Sequence, residues 1–230
     1  ATAEELAQNP LDPQAASVIV VTIEHGASVS GDVIEAALQE HKPKWAAMAH
    51  WETGSGRIND LEGFSTACEK YNVLGLVDAV SSLGVGAFRI DDYPGIHGWA
   101  SCPQKGLSCL PLTYAPVSFS DRFIETLNTS GTRTFVHHPV MEARHWAIIE
   151  GKDVEKGTYH RTHSAYAVAA FHEALRITLN QGLTVRAQEY AYHEAALRIA
   201  VEAIEQVIRV PALGAVLHAF HHNTHDGEVF

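Results

Sequence analysis

Val73-Leu74-Gly75-Leu76-Val77-Asp78 is an apolar run that ends in an acid, and it predicts a buried strand. A second such run, Trp99-Ala100-Ser101-Cys102, leads through Pro103 to Gln104 and Lys105. In an open α/β sheet, residues just beyond the carboxyl ends of the strands meet in the ligand crevice. The sequence therefore predicts that Asp78 and Lys105 lie close together in space.

Strand-length apolar runs recur through the first half of the chain, with helical patterns between them. The predicted strands are 18–23, 44–49, 74–77, 99–102 and 112–117, and the predicted helices are 32–41 and 61–71. Strands that alternate with helices indicate an α/β fold with a mostly parallel sheet flanked by helices.

The pattern becomes helical from about residue 118. Helices are predicted over 121–127, 139–150, 163–179 and 183–207, with a break at Asn180 to Gly182 and a short strand at 215–220. We predict a large cofactor-binding domain over residues 1–182, and a linker helix with the start of a smaller domain over 183–230. Because helical pattern begins at Ala1 without a cap, we expect this sequence to be an excerpt of a longer chain.

Composition excludes several classes of function. The formal net charge of −11 disfavours nucleic acid and anionic membrane surfaces as partners. No apolar stretch approaches the roughly 20 residues that span a bilayer, and the sequence carries no metal-binding motif. Three cysteines without a C-x-x-C pair indicate reduced thiols and a cytoplasmic protein.

An acid and an amine at one crevice are the minimal protein chemistry for pyridoxal phosphate. The acid keeps the pyridine nitrogen protonated, and the amine carries the aldehyde as a Schiff base. The competing interpretations are a solvated surface lysine for Lys105 and a helix cap for Asp78.

Four stretches carry a family resemblance. They are Ala49-His50-Trp51-Glu52-Thr53-Gly54-Ser55-Gly56, Leu76-Val77-Asp78-Ala79-Val80-Ser81-Ser82-Leu83-Gly84, Gln104-Lys105-Gly106-Leu107 and Tyr159-His160-Arg161-Thr162. In this order and at nearly this spacing they resemble the class V aminotransferases of the fold-type-I pyridoxal phosphate enzymes, especially the alanine:glyoxylate and serine:glyoxylate group. The resemblance runs from about residue 18 to residue 207.

The resemblance implies roles around the cofactor ring. Lys105 forms the Schiff base and moves the proton between carbons, and Asp78 pairs with the pyridine nitrogen. Val80 packs on one face of the ring, and the Thr53 hydroxyl binds the ring substituents.

The resemblance also implies contacts with the phosphate. Gln104 donates to it, while Tyr159 and Thr162 reach the phosphate of a neighbouring subunit, so a homodimer with shared sites is expected. Ser81 and Ser82 either support the Asp78 carboxylate or cap the next helix.

The implied activity is transfer of an amino group from alanine or serine to glyoxylate or a similar 2-oxo acid. The alternatives are a ureidoglycine:glyoxylate aminotransferase, another class V enzyme, or a truncated scaffold that has kept the fold and lost the chemistry. A desulfurase-type lyase ranks lower, because those enzymes prefer His-Lys where this chain has Gln104-Lys105. Some eukaryotic relatives are peroxisomal.

The chain departs from the family pattern in three places. The glycine loop for the phosphate and the ring that stacks on the pyridine have no counterpart after Ala1, and the arginine that grips the substrate carboxylate has none before Phe230. The relatives' Pro-Pro-Gly turn is replaced by Leu110-Pro111-Leu112. We therefore expect activity in a longer parent chain and an inactive isolated segment.

Overall fold

The computed structural model describes residues 17–24, 26–111, 114–130, 139–145 and 159–208. A four-stranded sheet forms the centre, in the order β1-β4-β5-β6. Its strands are β1 (Trp45–Ala49), β4 (Leu74–Asp78), β5 (Ile96–Ala100) and β6 (Val117–Phe119). The first three strands are parallel and β6 runs antiparallel to β5. A small antiparallel hairpin is made by β2 (Trp51–Glu52) and β3 (Arg57–Ile58).

Helices flank the sheet and complete an α/β fold, so the predicted fold class is confirmed. In chain order, the helices of the described residues are α1 (Gly31–His41), α2 (Leu61–Lys70), α3 (Asp121–Ser130), α4 (Pro139–His145), α5 (Ala165–Gln181) and α6 (Leu183–Ile208). A 3₁₀ turn lies at Ile90–Asp92. Within the part of the chain that the structure describes, no helix is long and apolar enough to cross a membrane.

The carboxylate of Asp60 sets the start of two helices. Its Oδ1 accepts the Gly63 N–H at 2.8 Å and so caps α2, while its Oδ2 accepts the N–H of Gly31, the first residue of α1, at 2.9 Å. Both bonds satisfy backbone donors that a helix leaves without a partner at its N-terminus. One side chain therefore fixes α1 beside α2.

The central strand β4 is covered on both faces. Gly75 faces α2, since a Cβ there would lie 3.2 Å from Cys68 Sγ and 3.3 Å from a Phe64 ring carbon. A Cβ on Gly98 of β5 would lie 2.6 Å from Leu76 and 3.4 Å from Phe123 of α3. Because neighbouring residues of a strand point to opposite faces, α2 and α3 pack on opposite sides of the sheet.

The main core lies between the sheet and the first two helices. Val77 and Trp99 from the sheet pack with Phe64 of α2 and Leu38 of α1, all of them buried. This burial explains why the strands lack the alternation of apolar and polar residues seen in half-exposed sheets.

Two strand predictions are wrong. Residues 17–24 form no strand, and their valines stand in solvent, with Val20 59% exposed. A β-branched run becomes a strand only where a neighbouring strand accepts its hydrogen bonds. The strand predicted at 112–117 begins instead at Val117, because Pro116 has no N–H to donate to the sheet. Residues 112–113 lie outside the described residues.

The other predicted elements are found with bounds shifted by a few residues. The largest strand shift is in β5, predicted at 99–102 and observed at Ile96–Ala100. The predicted helix break is confirmed at Gly182, whose φ of 87° ends α5. The helix residues 146–150 and the strand predicted at 215–220 lie outside the described residues, and the domain boundary stays a prediction.

Replacing Gly95 by alanine should destabilise the fold. The added Cβ would lie 1.9 Å from the Ser65 carbonyl oxygen in the backbone of α2, which cannot move without shifting the helix. We expect a loss of about 1–3 kcal/mol in the free energy of unfolding, measured by urea titration. The matched control is Gly54→Ala, whose Cβ meets only a flexible Glu52 oxygen at 3.2 Å. Equal stability of the two variants would contradict this packing.

Candidate functional site

Lys105 meets two hydroxyl groups from distant parts of the chain. Its Nζ lies 3.2 Å from Ser81 Oγ and 3.4 Å from Thr53 Oγ1, and the two hydroxyl oxygens are 2.6 Å apart. Lys105 follows β5, Ser81 follows β4, and Thr53 follows β2. The ends of β4 and β5 thus bring together the Lys105 amine and the Ser81 hydroxyl, as expected at the carboxyl edge of a parallel sheet. The turn between β2 and β3 adds the Thr53 hydroxyl.

The hairpin that carries Thr53 is fixed at its base by Asn59. The Asn59 side chain is buried, its Nδ2 donates to Ala49 O at 2.7 Å, and its Oδ1 accepts the Val29 N–H at 2.9 Å. Its backbone N–H donates to His50 O at 2.8 Å. The bonds to Ala49 O and His50 O hold the base of the hairpin against the end of β1, and the bond from Val29 ties it to the segment before α1.

Asp78 is the last residue of β4, and its side chain is exposed at this edge. Its Oδ1 accepts the Val80 N–H at 2.8 Å, which fixes the carboxylate close to its own backbone. Among the described hydrogen bonds none joins Asp78 to Lys105. The two residues share a neighbour instead, since Ser81 lies three residues after Asp78 and contacts the lysine.

The segment after Asp78 is tied to the sheet by its backbone. Ala79 N donates to Ala100 O at 2.7 Å, and the buried Ser101 Oγ donates to Ala79 O at 3.0 Å. Val80, which follows, is half-buried. The loops after β4 and β5 are therefore joined before either reaches the hydroxyl cluster.

The two serines differ from expectation. Neither makes a described hydrogen bond to the Asp78 carboxylate, which is held by the Val80 N–H. Ser81 contacts Lys105 and Thr53, whereas Ser82 is fully buried and lies 3.0 Å from His50 Nδ1. The sequence predicted for Ser81 only a bond to the Asp78 carboxylate or a cap on the next helix. Its place just after the end of β4, the strand next to the one that precedes Lys105, was the signal that could have predicted the contact with the lysine.

His50 is a buried neutral imidazole beneath the site. It is packed against Trp51 and Phe88, and its backbone N–H donates to Asp78 O at 2.9 Å. Burial lowers the pKa of His50 from 6.5 to about 4, because the charged ring would lose its water. The ring therefore stays uncharged near neutral pH and fixes Ser82.

Three other predicted site residues stand apart from the lysine cluster in the described contacts. Gln104 is exposed beside Lys105 in sequence. Tyr159 is 71% exposed, and its hydroxyl lies 2.9 Å from Thr162 Oγ1, so these two pair with each other. Their predicted roles at the phosphate stay predictions. Among the described residues no group of three ligands is placed to hold a metal ion.

Comparison with known proteins finds relatives whose names include glyoxylate as a substrate. The chain is 32% identical over 193 residues to an alanine–glyoxylate aminotransferase of Oryctolagus cuniculus, covering 80% of this chain and 48% of the relative. It is 27% identical over 205 residues to an (S)-ureidoglycine–glyoxylate transaminase of Bacillus subtilis, covering 82% and 48%. The chain thus spans about half the length of the curated relatives it matches. No protein-family profile matches the chain.

Two solved structures share the fold. The ureidoglycine–glyoxylate aminotransferase of Bacillus subtilis superposes with a TM-score of 0.73 at 26% identity, over 82% of this chain and 47% of that one. The alanine–glyoxylate aminotransferase of a Nostoc species superposes with a TM-score of 0.69 at 30% identity, over 80% and 48%. Sequence and fold comparisons therefore point to the same group of proteins.

The buried His50 should make stability depend on pH. The unfolded chain takes up this proton near pH 6.5, whereas the folded chain takes it up only near pH 4, so stability falls as pH falls through this window. The loss attributable to His50 should total about 3 kcal/mol, measured by urea unfolding at a series of pH values. His50→Gln should flatten the dependence.

The control for this experiment is His172→Gln, since His172 is exposed on α5. That variant should keep the pH dependence of the parent. An identical slope in the parent and in His50→Gln would show that His50 is not a buried neutral ring.

Proposed function

Because the chain belongs to the class V aminotransferases of fold type I, we propose that the full-length protein is a pyridoxal-phosphate-dependent aminotransferase. It would move an amino group from alanine or serine to glyoxylate or a similar 2-oxo acid. The observation that carries the proposal is the contact of the Lys105 amine with the Thr53 and Ser81 hydroxyls at the strand edge that ends in Asp78. The names of the relatives supply glyoxylate as the acceptor.

The described residues fit the cofactor in their chemistry. The Lys105 amine is exposed, and its described hydrogen bonds are to two neutral hydroxyls at 3.2 and 3.4 Å rather than to a carboxylate. It can leave these partners to bond an aldehyde without breaking an ion pair. Asp78 is likewise exposed, and no described hydrogen bond uses its Oδ2. An accessible amine and an accessible carboxylate at one sheet edge are what the cofactor requires.

Each residue then has a defined task. Lys105 would hold the cofactor aldehyde, Asp78 would keep a proton on the pyridine nitrogen, and Val80 would pack against the ring. The Thr53 hydroxyl would bind the ring substituents, and Gln104 would donate to the phosphate. When bound, pyridoxal phosphate withdraws electrons from the substrate Cα, which makes its proton removable.

Proton transfer falls to Lys105. With an amino-acid substrate bound, Lys105 Nζ would accept the proton from the substrate Cα and pass it to another carbon. The hydroxyls of Ser81 and Thr53 accept hydrogen bonds from the ammonium that results, and so hold Nζ in place between the two transfers.

We also propose that the protein acts as a homodimer with shared sites. Tyr159 is largely exposed, and the described contact of its hydroxyl is with the exposed Thr162. Both hydroxyls are accessible to the phosphate of a second subunit, which is the arrangement that the family resemblance implies.

Ureidoglycine is the competing donor, and the Bacillus subtilis relative supports it. Comparing the rates with alanine, serine and ureidoglycine as donors and glyoxylate as acceptor decides between them. A third outcome is a scaffold without chemistry. In that case the full-length protein stays colourless when pyridoxal phosphate is added and transfers no amino group from any donor.

Lys105→Ala should abolish the absorbance band that lysine-bound pyridoxal phosphate gives, because no other amine lies at the hydroxyl cluster among the described contacts. The measurement is an absorbance titration of the full-length protein with the cofactor. The matched control is Lys70→Ala, which removes an exposed lysine paired with Glu35 on the surface. The control should keep the band. A band of parent intensity in Lys105→Ala would refute the assignment of the amine.

A further inference from the structure

Arg186 is a buried cation that the proposed reaction does not use. It lies in the first turn of α6 and is only 6% exposed. Its Nε donates to Gly84 O at 3.0 Å, its Nη2 to Gly106 O at 2.5 Å, and its Nη1 to Gln181 Oε1 at 2.6 Å. All three guanidinium nitrogens are thus engaged, as a buried charge requires.

The two carbonyls belong to the loops that build the lysine site. Gly106 directly follows Lys105, and Gly84 lies three residues after Ser81. The loops touch through their backbones, since a Cβ on Gly106 would lie 2.1 Å from Leu83 O. A Cβ on Gly84 would lie 2.9 Å from Gly106 O, and its φ of 85° also favours glycine. The two loops cannot pack in this way with larger residues.

The guanidinium donates to the Gly84 and Gly106 carbonyl oxygens through two of its nitrogens, which its planar fork allows, and so links the two loops. A lysine has a single nitrogen and cannot reproduce this planar fork. No carboxylate forms an ion pair with Arg186 among the described residues; the Gln181 amide connects it instead to Glu189, through a bond from Nε2 to Oε2 at 2.5 Å.

An anchor for α6 alone could bond any part of the large domain. Arg186 bonds instead the residue next to Lys105 and the turn that carries Ser81, whose hydroxyl lies 3.2 Å from Lys105 Nζ. The distance between these two loops sets whether Nζ reaches its hydroxyl partners. The helix is therefore connected to the reacting amine through two backbone bonds.

We propose that Arg186 is a positioning residue that holds the Lys105 loop against the Ser81 loop. The inference rests on the proposed function, because Lys105 is the reacting amine only there. It predicts that losing the guanidinium moves Nζ away from its hydroxyls while the sheet stays folded. A displacement of about an ångström at a reacting group lowers the rate by about 100-fold.

The test compares Arg186→Met, Arg186→Lys and the control Arg176→Met in the full-length protein. Arg176 is an exposed arginine on α5 that pairs with Glu173 at the surface. Four quantities are measured: kcat, KM, the melting temperature, and the rate at which an amine-acylating reagent labels Lys105 in the cofactor-free protein, relative to the exposed Lys44.

Arg186→Met should lower kcat by roughly 10- to 100-fold with little change in KM, and raise the relative labelling of Lys105 severalfold. Arg186→Lys should give kcat and labelling values between those of Arg186→Met and the parent, and Arg176→Met should match the parent in both. If Arg186→Met does not fold, the same readouts on Arg186→Lys decide.

A lower melting temperature with parent kcat and parent labelling of Lys105 would overturn the proposal and leave Arg186 as an anchor for α6. If the parent protein binds no pyridoxal phosphate, the proposed function fails. The labelling experiment then still decides whether Arg186 positions the amine, because it needs no cofactor.

Discussion

The parallel pairing of β4 with β5 is the constraint on which the site depends. It places the loop after Asp78 beside the loop that carries Lys105, with Asp78 in register with Ala100. The two loops are then joined by a backbone bond from Ala79 N to Ala100 O and by the Ser101 hydroxyl, which donates to Ala79 O. They touch again where Gly106 lies against Leu83. A lysine far from an aspartate in sequence becomes part of the same edge because these strands have the same direction.

Buried polar side chains around the site each fix one part of it in place. Asn59 fixes the hairpin that carries Thr53, and the neutral His50 fixes Ser82 in the loop after Asp78. Arg186 joins the Gly84 and Gly106 carbonyls from the outside. Asn59, His50 and Arg186 are buried, whereas Lys105 and Asp78 are exposed. Buried hydrogen bonds therefore position the segments that carry the two accessible groups.

Several features followed from the sequence because they depend on local pattern. The apolar runs at β4 and β5 and the helical period of α2 predicted the fold, and the family motifs predicted Lys105, Asp78 and Thr53 as one group. The strand predicted at 18–23 was wrong because a strand needs a neighbouring strand to pair with, and the composition of the run does not show whether one is present. The Ser81 contact with Lys105 and the Arg186 bridge join residues 24 to 102 positions apart, and only the folded backbone brings them together.

The most direct test is chemical trapping of the amine. The full-length protein is incubated with pyridoxal phosphate, reduced with borohydride, digested, and analysed by mass spectrometry for the lysine that carries the pyridoxyl group. The contact of Lys105 with Thr53 and Ser81 at the end of β4 predicts a single modified peptide that contains Lys105. Modification of a different lysine, or a scatter of partial modification over the surface lysines, would contradict the site described here.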